Sequence, residues 1–70
     1  MKTTKNITIT ENFGFTVRNN GIELGNYNNI NKAAARAIEE AEKENKEIRF
    51  NTDFWKMTVT AEKAKKFFLR

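Results

Sequence analysis

The residues best placed for acid–base chemistry are Glu40 and Glu44, which share one face of a predicted helix. Catalysis by such a pair requires that one carboxyl group be buried. Both belong to the run EEAEKE, which is typical of a solvated helix face. The chain has no histidine and no cysteine, which removes imidazole and thiolate catalysts together with the usual zinc ligands. We therefore expect no catalytic residues and no enzyme activity.

Cofactor and metal sites are not indicated either. The three glycines, at positions 14, 21 and 25, do not form the glycine-rich loop that cradles a phosphate before a helix. Asp53 and Glu47 are isolated in the sequence, whereas a hard cation needs about six oxygen ligands. We expect neither a cofactor nor a metal ion, so the chain is expected to act by binding.

Positive charge is concentrated in the last third of the chain. Residues 46–70 carry seven basic and three acidic side chains, whereas residues 1–45 carry six of each. The predicted basic end consists of Lys56, Lys63, Lys65, Lys66 and Arg70, interleaved with the aromatic residues Phe54, Trp55, Phe67 and Phe68. Such interleaving is typical of surfaces that bind phosphates and stack on bases. The alternative is that these lysines complement the dipole of a C-terminal helix.

Hydrophobic alternation predicts the elements that position these residues. Segments 5–11, 13–19 and 21–27 are predicted strands, with a tight hairpin at Asn19-Asn20-Gly21. A helix is predicted over 30–45, capped by Asn28 or Asn29, followed by strands at 47–50 and 54–59 and a helix capped by Thr60. The predicted fold is a single small α+β domain over residues 1–70, with an antiparallel sheet in the order β-β-β-α-β-β-α. One long helix packs on the sheet and a short helix ends the chain.

The alternation also predicts two faces for the first three strands. The residues expected to point inward are Ile7, Ile9, Phe13, Phe15, Val17, Ile22 and Leu24. The opposite face is expected to present Thr8, Thr16 and Arg18 to a partner. Tyr27 either joins that face or covers the start of the helix. Trp55 is either a core residue or an exposed anchor for a partner.

The segment LGNYNNINKAAARAIEEA, residues 24–41, resembles the end of the sheet and the start of the helix in ethylene-response-factor type DNA-binding domains. The residues that carry the resemblance are Leu24, Gly25, Tyr27, Asn29, Ala33 and Ala34. Those domains, like the arm-binding domains of tyrosine recombinases, back a three-stranded sheet with a helix and read DNA with arginines and tryptophans on the outer sheet face. The resemblance implies this fold and this mode of binding. Here the predicted face carries only Arg18 and Glu23 as charges, which predicts weak binding to bare DNA.

In size and composition the chain also resembles phage accessory proteins, including anti-CRISPR inhibitors. We expect a non-enzymatic phage or mobile-element protein, located in the host cytoplasm, that binds a host protein or nucleoprotein complex stoichiometrically and blocks it. The alternative is a small DNA-binding regulator or recombination accessory protein that uses the sheet face and the basic end. A homodimer formed through an open strand edge is a third hypothesis, and no membrane association is expected.

Overall fold

The structure, a computed structural model, describes residues 6–68, which form a small α+β domain. Its elements in chain order are β1 (Ile7–Glu11), β2 (Phe15–Asn19), β3 (Ile22–Tyr27), α1 (Ile30–Glu44), β4 (Ile48–Asn51), β5 (Lys56–Val59) and α2 (Ala61–Phe68). The strands form one sheet with the spatial order β3-β2-β1-β4-β5. Strand β1 pairs antiparallel with β2 and parallel with β4. The prediction of a purely antiparallel sheet is therefore wrong, because the sheet is mixed and its strands do not lie side by side in chain order.

Short polar residues fix the helix starts and one hairpin. The side chain of Asn29 accepts a hydrogen bond of 2.6 Å from a backbone N–H in the first turn of α1. Thr60 Oγ1 accepts one of 3.2 Å from the first turn of α2. Asn20 and Gly21 have φ values of 57° and 82°, which the tight hairpin between β2 and β3 requires. The predicted caps and hairpin are confirmed.

Both helices pack on one face of the sheet, and the core lies between the two layers. The sheet contributes Ile7, Ile9, Val17, Ile48, Phe50 and Val59, and α1 contributes Ala33, Ala34, Ala37, Ile38 and Ala41. Because this stripe of α1 is mostly alanine, the helix can lie close to the sheet. Helix α2 adds Phe68, whose ring stacks on Phe50 with 5.1 Å between centroids. We call this side the covered face.

A bulge between β2 and β3 decides which residues of β3 point toward the helices. The register shifts by one residue between Val17 and Arg18, with Leu24 as the extra residue on β3. Side chains alternate along a strand, so one extra residue moves every following side chain to the other face. Tyr27 therefore lies beside Phe15 and packs against the core. Of the two alternatives for Tyr27, the place on the exposed sheet face is wrong, and the ring lies on the covered face with the helices.

Two apolar residues that were expected inside are exposed. Phe13 is 97% exposed, because positive φ values at Phe13 (58°) and Gly14 (107°) turn the chain before β2 begins. Ile22 is 65% exposed, because it begins an edge strand and has a neighbouring strand on one side only. The predicted burial of these two side chains is wrong, although Ile22 keeps its predicted side of the sheet, because it pairs with Asn19, which lies opposite the core residue Ile7.

Candidate functional site

The second face of the sheet lies opposite both described helices, and we call it the open face. Its residues are Thr8, Thr10, Thr16, Arg18, Glu23, Asn26, Arg49, Asn51, Lys56 and Thr58. They alternate along the strands with the residues of the core. Every one of them is polar or charged, as expected for a surface in contact with water or a polar partner.

Strand pairing arranges the open face in two rows across the sheet. The first row is Glu23, Arg18, Thr8, Arg49 and Thr58, and the second is Asn26, Thr16, Thr10, Asn51 and Lys56. Neighbouring strands lie about 4.8 Å apart. The Cα atoms of Arg18 and Arg49 therefore lie on the two strands next to Thr8, one on each side. An anion on this part of the face would have an arginine on each neighbouring strand and the hydroxyl groups of Thr8 and Thr10 between them.

Among residues 6–68, the open face carries three cations, Arg18, Arg49 and Lys56, against one carboxylate, Glu23. The expectation of an almost neutral sheet face is therefore wrong. The reason is the parallel pairing of β4 with β1, which adds β4 and β5 to the same sheet. Arg18 Nη1 donates a hydrogen bond of 3.1 Å to Thr10 Oγ1, which holds its side chain along the sheet.

Arg49 is the main binding candidate that sequence reasoning missed. A signal for it exists, since alternation in 48–51 places Arg49 opposite the apolar side chains of Ile48 and Phe50. What the alternation does not reveal is the strand beside which β4 lies. Arg49 and Lys56 border a shallow depression of about 170 Å³ on β4 and β5.

The predicted contacts on the first three strands differ in availability. Thr8 and Arg18 are half-buried on the open face. Thr16 lies on the same face but is only 5% exposed, and its Oγ1 accepts a hydrogen bond of 2.7 Å from Asn26 Nδ2. The Asn26 side chain therefore shields Thr16 from solvent. A partner on the open face would contact the exposed Asn26 instead of Thr16.

The predicted basic end does not form one surface. Lys56 lies on the open face, whereas Lys63, Lys65 and Lys66 lie on α2 in the helix layer. Lys65 pairs with Glu42 of α1, and Lys63 and Lys66 are exposed. Arg70 lies outside the described residues.

Trp55 is half-buried at the edge of the core. Its ring centroid lies 5.3 Å from that of Phe68, edge to face, and 6.4 Å from that of Phe67. This packing joins the turn before β5 to the end of α2. Of the two sequence-based alternatives, the structure places Trp55 in packing contact with the core, with part of its surface open.

The carboxylate pair on α1 is divided between two ion-pair networks. Glu40 is only 8% exposed, and its Oε2 lies 3.4 Å from Arg36 Nη2 and 3.6 Å from Lys43 Nζ. The predicted solvated face is wrong for Glu40, which is a buried ion-pair partner. Its carboxylate is committed to two cations of its own helix.

Glu44 belongs to a network at the end of α1. Its carboxylate accepts a hydrogen bond of 3.0 Å from Asn19 Nδ2 and lies 3.1 Å from Lys46 Nζ. Lys46 Nζ also donates to Asn19 Oδ1 at 2.7 Å. The hydrogen bond from Asn19, followed by that from Lys46, holds the pKa of Glu44 below its ordinary value. These contacts tie the end of α1 to β2.

A cleft of about 540 Å³ lies between the end of α1 and the start of α2, lined by Glu42, Lys46, Glu47 and Glu62 among others. Its lining charges are mixed in sign, and Glu42 is already paired with Lys65.

Within residues 6–68, no three acidic side chains are grouped closely enough to hold a metal ion. Neither of the described helices is long and apolar enough to cross a membrane. Comparison of the chain with protein-family models, curated proteins and solved structures gave no match.

Proposed function

We propose that this chain is a non-enzymatic domain that binds nucleic acid through its open face. The observation that carries the proposal is the row in which Arg18 and Arg49 flank Thr8 in the middle of a sheet face that lies opposite both helices. Lys56 in the second row extends the positive charge to the edge strand β5.

The chemistry of the open face suits phosphate oxygens. Guanidinium groups donate paired hydrogen bonds to phosphates, and threonine and asparagine side chains add neutral donors around them. Contacts of this kind fix the position of a nucleic acid and carry no sequence information. The resemblance of residues 24–41 to ethylene-response-factor type domains supports the same surface, since those domains also use the sheet face.

The test is the salt dependence of binding. Wild-type protein should bind a labelled oligonucleotide at low salt, with the logarithm of the affinity falling linearly against the logarithm of the salt concentration. The double variant Arg49→Ala/Lys56→Ala should reduce the magnitude of that slope by about 1.4 to 1.8, depending on whether the strand is single or double.

A charge-matched control lies on the opposite layer. Lys63→Ala/Lys66→Ala removes the same charge from α2 and should leave the slope close to that of the wild type. Absence of binding at low salt would refute the function. If the magnitude of the slope is reduced in the α2 variant and not in the open-face variant, the open face is not where the nucleic acid binds.

A second candidate is a stoichiometric inhibitor of a host nucleoprotein complex, acting in the cytoplasm as a phage protein would. The observation that favours it is the exposure of cations on both layers, with Lys63 and Lys66 on α2 opposite the open face. Such a domain can touch nucleic acid on one side and protein on the other. In a pull-down from nuclease-treated host lysate, Lys63→Glu/Lys66→Glu should lose a protein that the wild type retains. Recovery of the same proteins by both forms would count against this candidate.

A further inference from the structure

Two exposed phenylalanines lie at the same end of the sheet. Phe13 is 97% exposed in the turn after β1, and Phe54 is 89% exposed in the turn after β4. Because β1 and β4 are parallel neighbours, these turns leave the sheet side by side. The backbone N–H of Asp53 donates a hydrogen bond of 3.1 Å to Glu11 Oε1, which links the two turns directly. We call Phe13 and Phe54 the aromatic tip.

Both rings project from constrained turns. Thr52 is buried and holds the turn around Phe54, since its Oγ1 accepts a hydrogen bond of 2.9 Å from the Trp55 N–H and its own N–H donates to the Trp55 carbonyl at 2.9 Å. Phe13 has a φ of 58°, a left-handed conformation that is unfavourable for a bulky residue. A domain of this size needs most of its large apolar side chains in the core. Two rings kept outside, one of them on a strained backbone, indicate a role in binding.

The aromatic tip borders the second row of the open face. Thr10, Asn51 and Lys56 are the residues of that row next to the two turns. Two carboxylates, Glu11 and Asp53, lie in or beside the turns themselves, so positive charge is not uniform at this end. Phosphates are therefore favoured on the sheet, beside Arg49 and Lys56, and uncharged groups are favoured on the rings.

We propose that the chain binds single-stranded nucleic acid, with Phe13 and Phe54 stacking on unpaired bases while the phosphates lie along the open face. A cationic groove combined with exposed aromatic rings is the arrangement that binds single strands without sequence preference. Bases in a duplex are already stacked on each other, and their flat faces are not available to these rings. The inference rests on the proposed function of the open face and names the class of nucleic acid.

The experiment compares a labelled oligothymidine with a duplex of the same length. Phe13→Asn/Phe54→Ala removes both rings, and asparagine suits the left-handed backbone at position 13. This variant should bind the single strand at least about tenfold more weakly, as expected for the loss of a stacked base. Its salt slope and its duplex affinity should match those of the wild type, because the cations of the open face are intact.

Two control variants keep the result specific. Phe54→Tyr keeps an aromatic ring and should retain single-strand affinity. Ile22→Ala removes an exposed apolar side chain at the opposite end of the sheet and should also bind as the wild type does. Thermal unfolding followed by circular dichroism verifies that each variant is folded.

The outcomes separate this inference from the proposed function. If the phenylalanine variant keeps its single-strand affinity while Arg49→Ala/Lys56→Ala weakens binding, the stacking role is refuted and the open-face function stands. Equal losses for single strand and duplex would refute the preference for unpaired bases. If the wild type binds neither oligonucleotide at low salt, both proposals fail. Insertion of the two rings into a hydrophobic pocket of a protein partner then remains as their role.

Discussion

Strand β4 shows the difference between the two faces of the sheet within adjacent residues. Phe50 points to the covered face, where it is 1% exposed and stacks on Phe68. Arg49 points to the open face and is exposed. The covered face therefore carries the stability of this small domain, and the open face is available for the proposed binding. Substitutions on the two faces should have separable effects.

The largest effect is expected from Phe50→Ala, which leaves a cavity between the sheet and α2. Substitutions of buried phenylalanine by alanine cost about 3–5 kcal/mol. A domain of this size has little more stability than that to lose, so the variant should be largely unfolded. Urea unfolding followed by circular dichroism measures the change.

The matched control is Arg49→Ala, one residue away on the other face. It should change the free energy of unfolding by no more than about 0.5 kcal/mol, as exposed positions usually do. A folded and stable Phe50→Ala variant, or a destabilised Arg49→Ala variant, would break the contrast between the faces.

The next effect concerns the covered side of the edge strand. A Cβ atom at Gly25 would lie 2.7 Å from Tyr27 Oη and 3.0 Å from the ring carbons Cε2 and Cζ. Gly25→Ala should therefore displace the Tyr27 ring and cost about 1–3 kcal/mol, as overpacking does. Thermal and urea unfolding of Gly25→Ala, Tyr27→Ala and the double variant form the test. The stability losses of the two single variants should sum to more than the loss in the double variant, because removing the Tyr27 ring also removes its clash with the new methyl group. If the two losses add up to the loss in the double variant, the described packing of Gly25 against Tyr27 is contradicted.

Local patterns predict much of this fold. Alternation over 7–11 and 15–19 gives two strands, the short polar residues Asn29 and Thr60 give the helix starts, and Asn20-Gly21 gives the hairpin. Each of these features depends on residues that are close together in the sequence, and such features can be predicted from local sequence patterns.

The remaining features depend on contacts between distant segments. The parallel pairing of β1 with β4 is a choice among strand edges that no local pattern contains, and it brings Arg49 and Lys56 to the open face. The extra residue Leu24 in β3 reverses the expected orientation of Tyr27. Phe13 continues the alternation of β2 in the sequence, but a positive φ takes it out of the strand. The candidate site was therefore only partly predictable: Thr8, Arg18 and Lys56 were predicted as binding residues, whereas Arg49 and the sharing of one face by these residues were not.

A smaller effect of opposite sign is expected at Phe13. A left-handed conformation costs a residue with a Cβ atom about 1–2 kcal/mol, and asparagine adopts it more readily than phenylalanine. Phe13→Asn should therefore raise the free energy of unfolding by up to about 1 kcal/mol. The urea midpoint measures this gain, with Phe54→Ala as a comparison in which no positive φ is relieved. A lower midpoint for Phe13→Asn would show that the ring stabilises the fold.

The smallest effect is expected at Glu44 and depends on pH. Its pKa is lowered in the folded protein, mainly by the hydrogen bond from Asn19. The stabilisation is therefore complete above the unfolded value of about 4.3 and is lost as the pH falls through the lower folded value. Glu44→Gln should melt at a slightly lower temperature than the wild type at neutral pH, and the difference should vanish in acid. Glu39→Gln, at an exposed position of the same helix, is the control; a difference that grows in acid would contradict the assignment.

The central claim is that the open face binds nucleic acid, and an NMR titration of ¹⁵N-labelled protein with a single-stranded oligonucleotide tests it most directly. Backbone amide shifts should change along β1, β2, β4 and β5, with the largest changes around Thr8, Arg18 and Arg49, and the amides of α2 should stay nearly constant. Changes concentrated on α2, with the strands unaffected, would contradict the account.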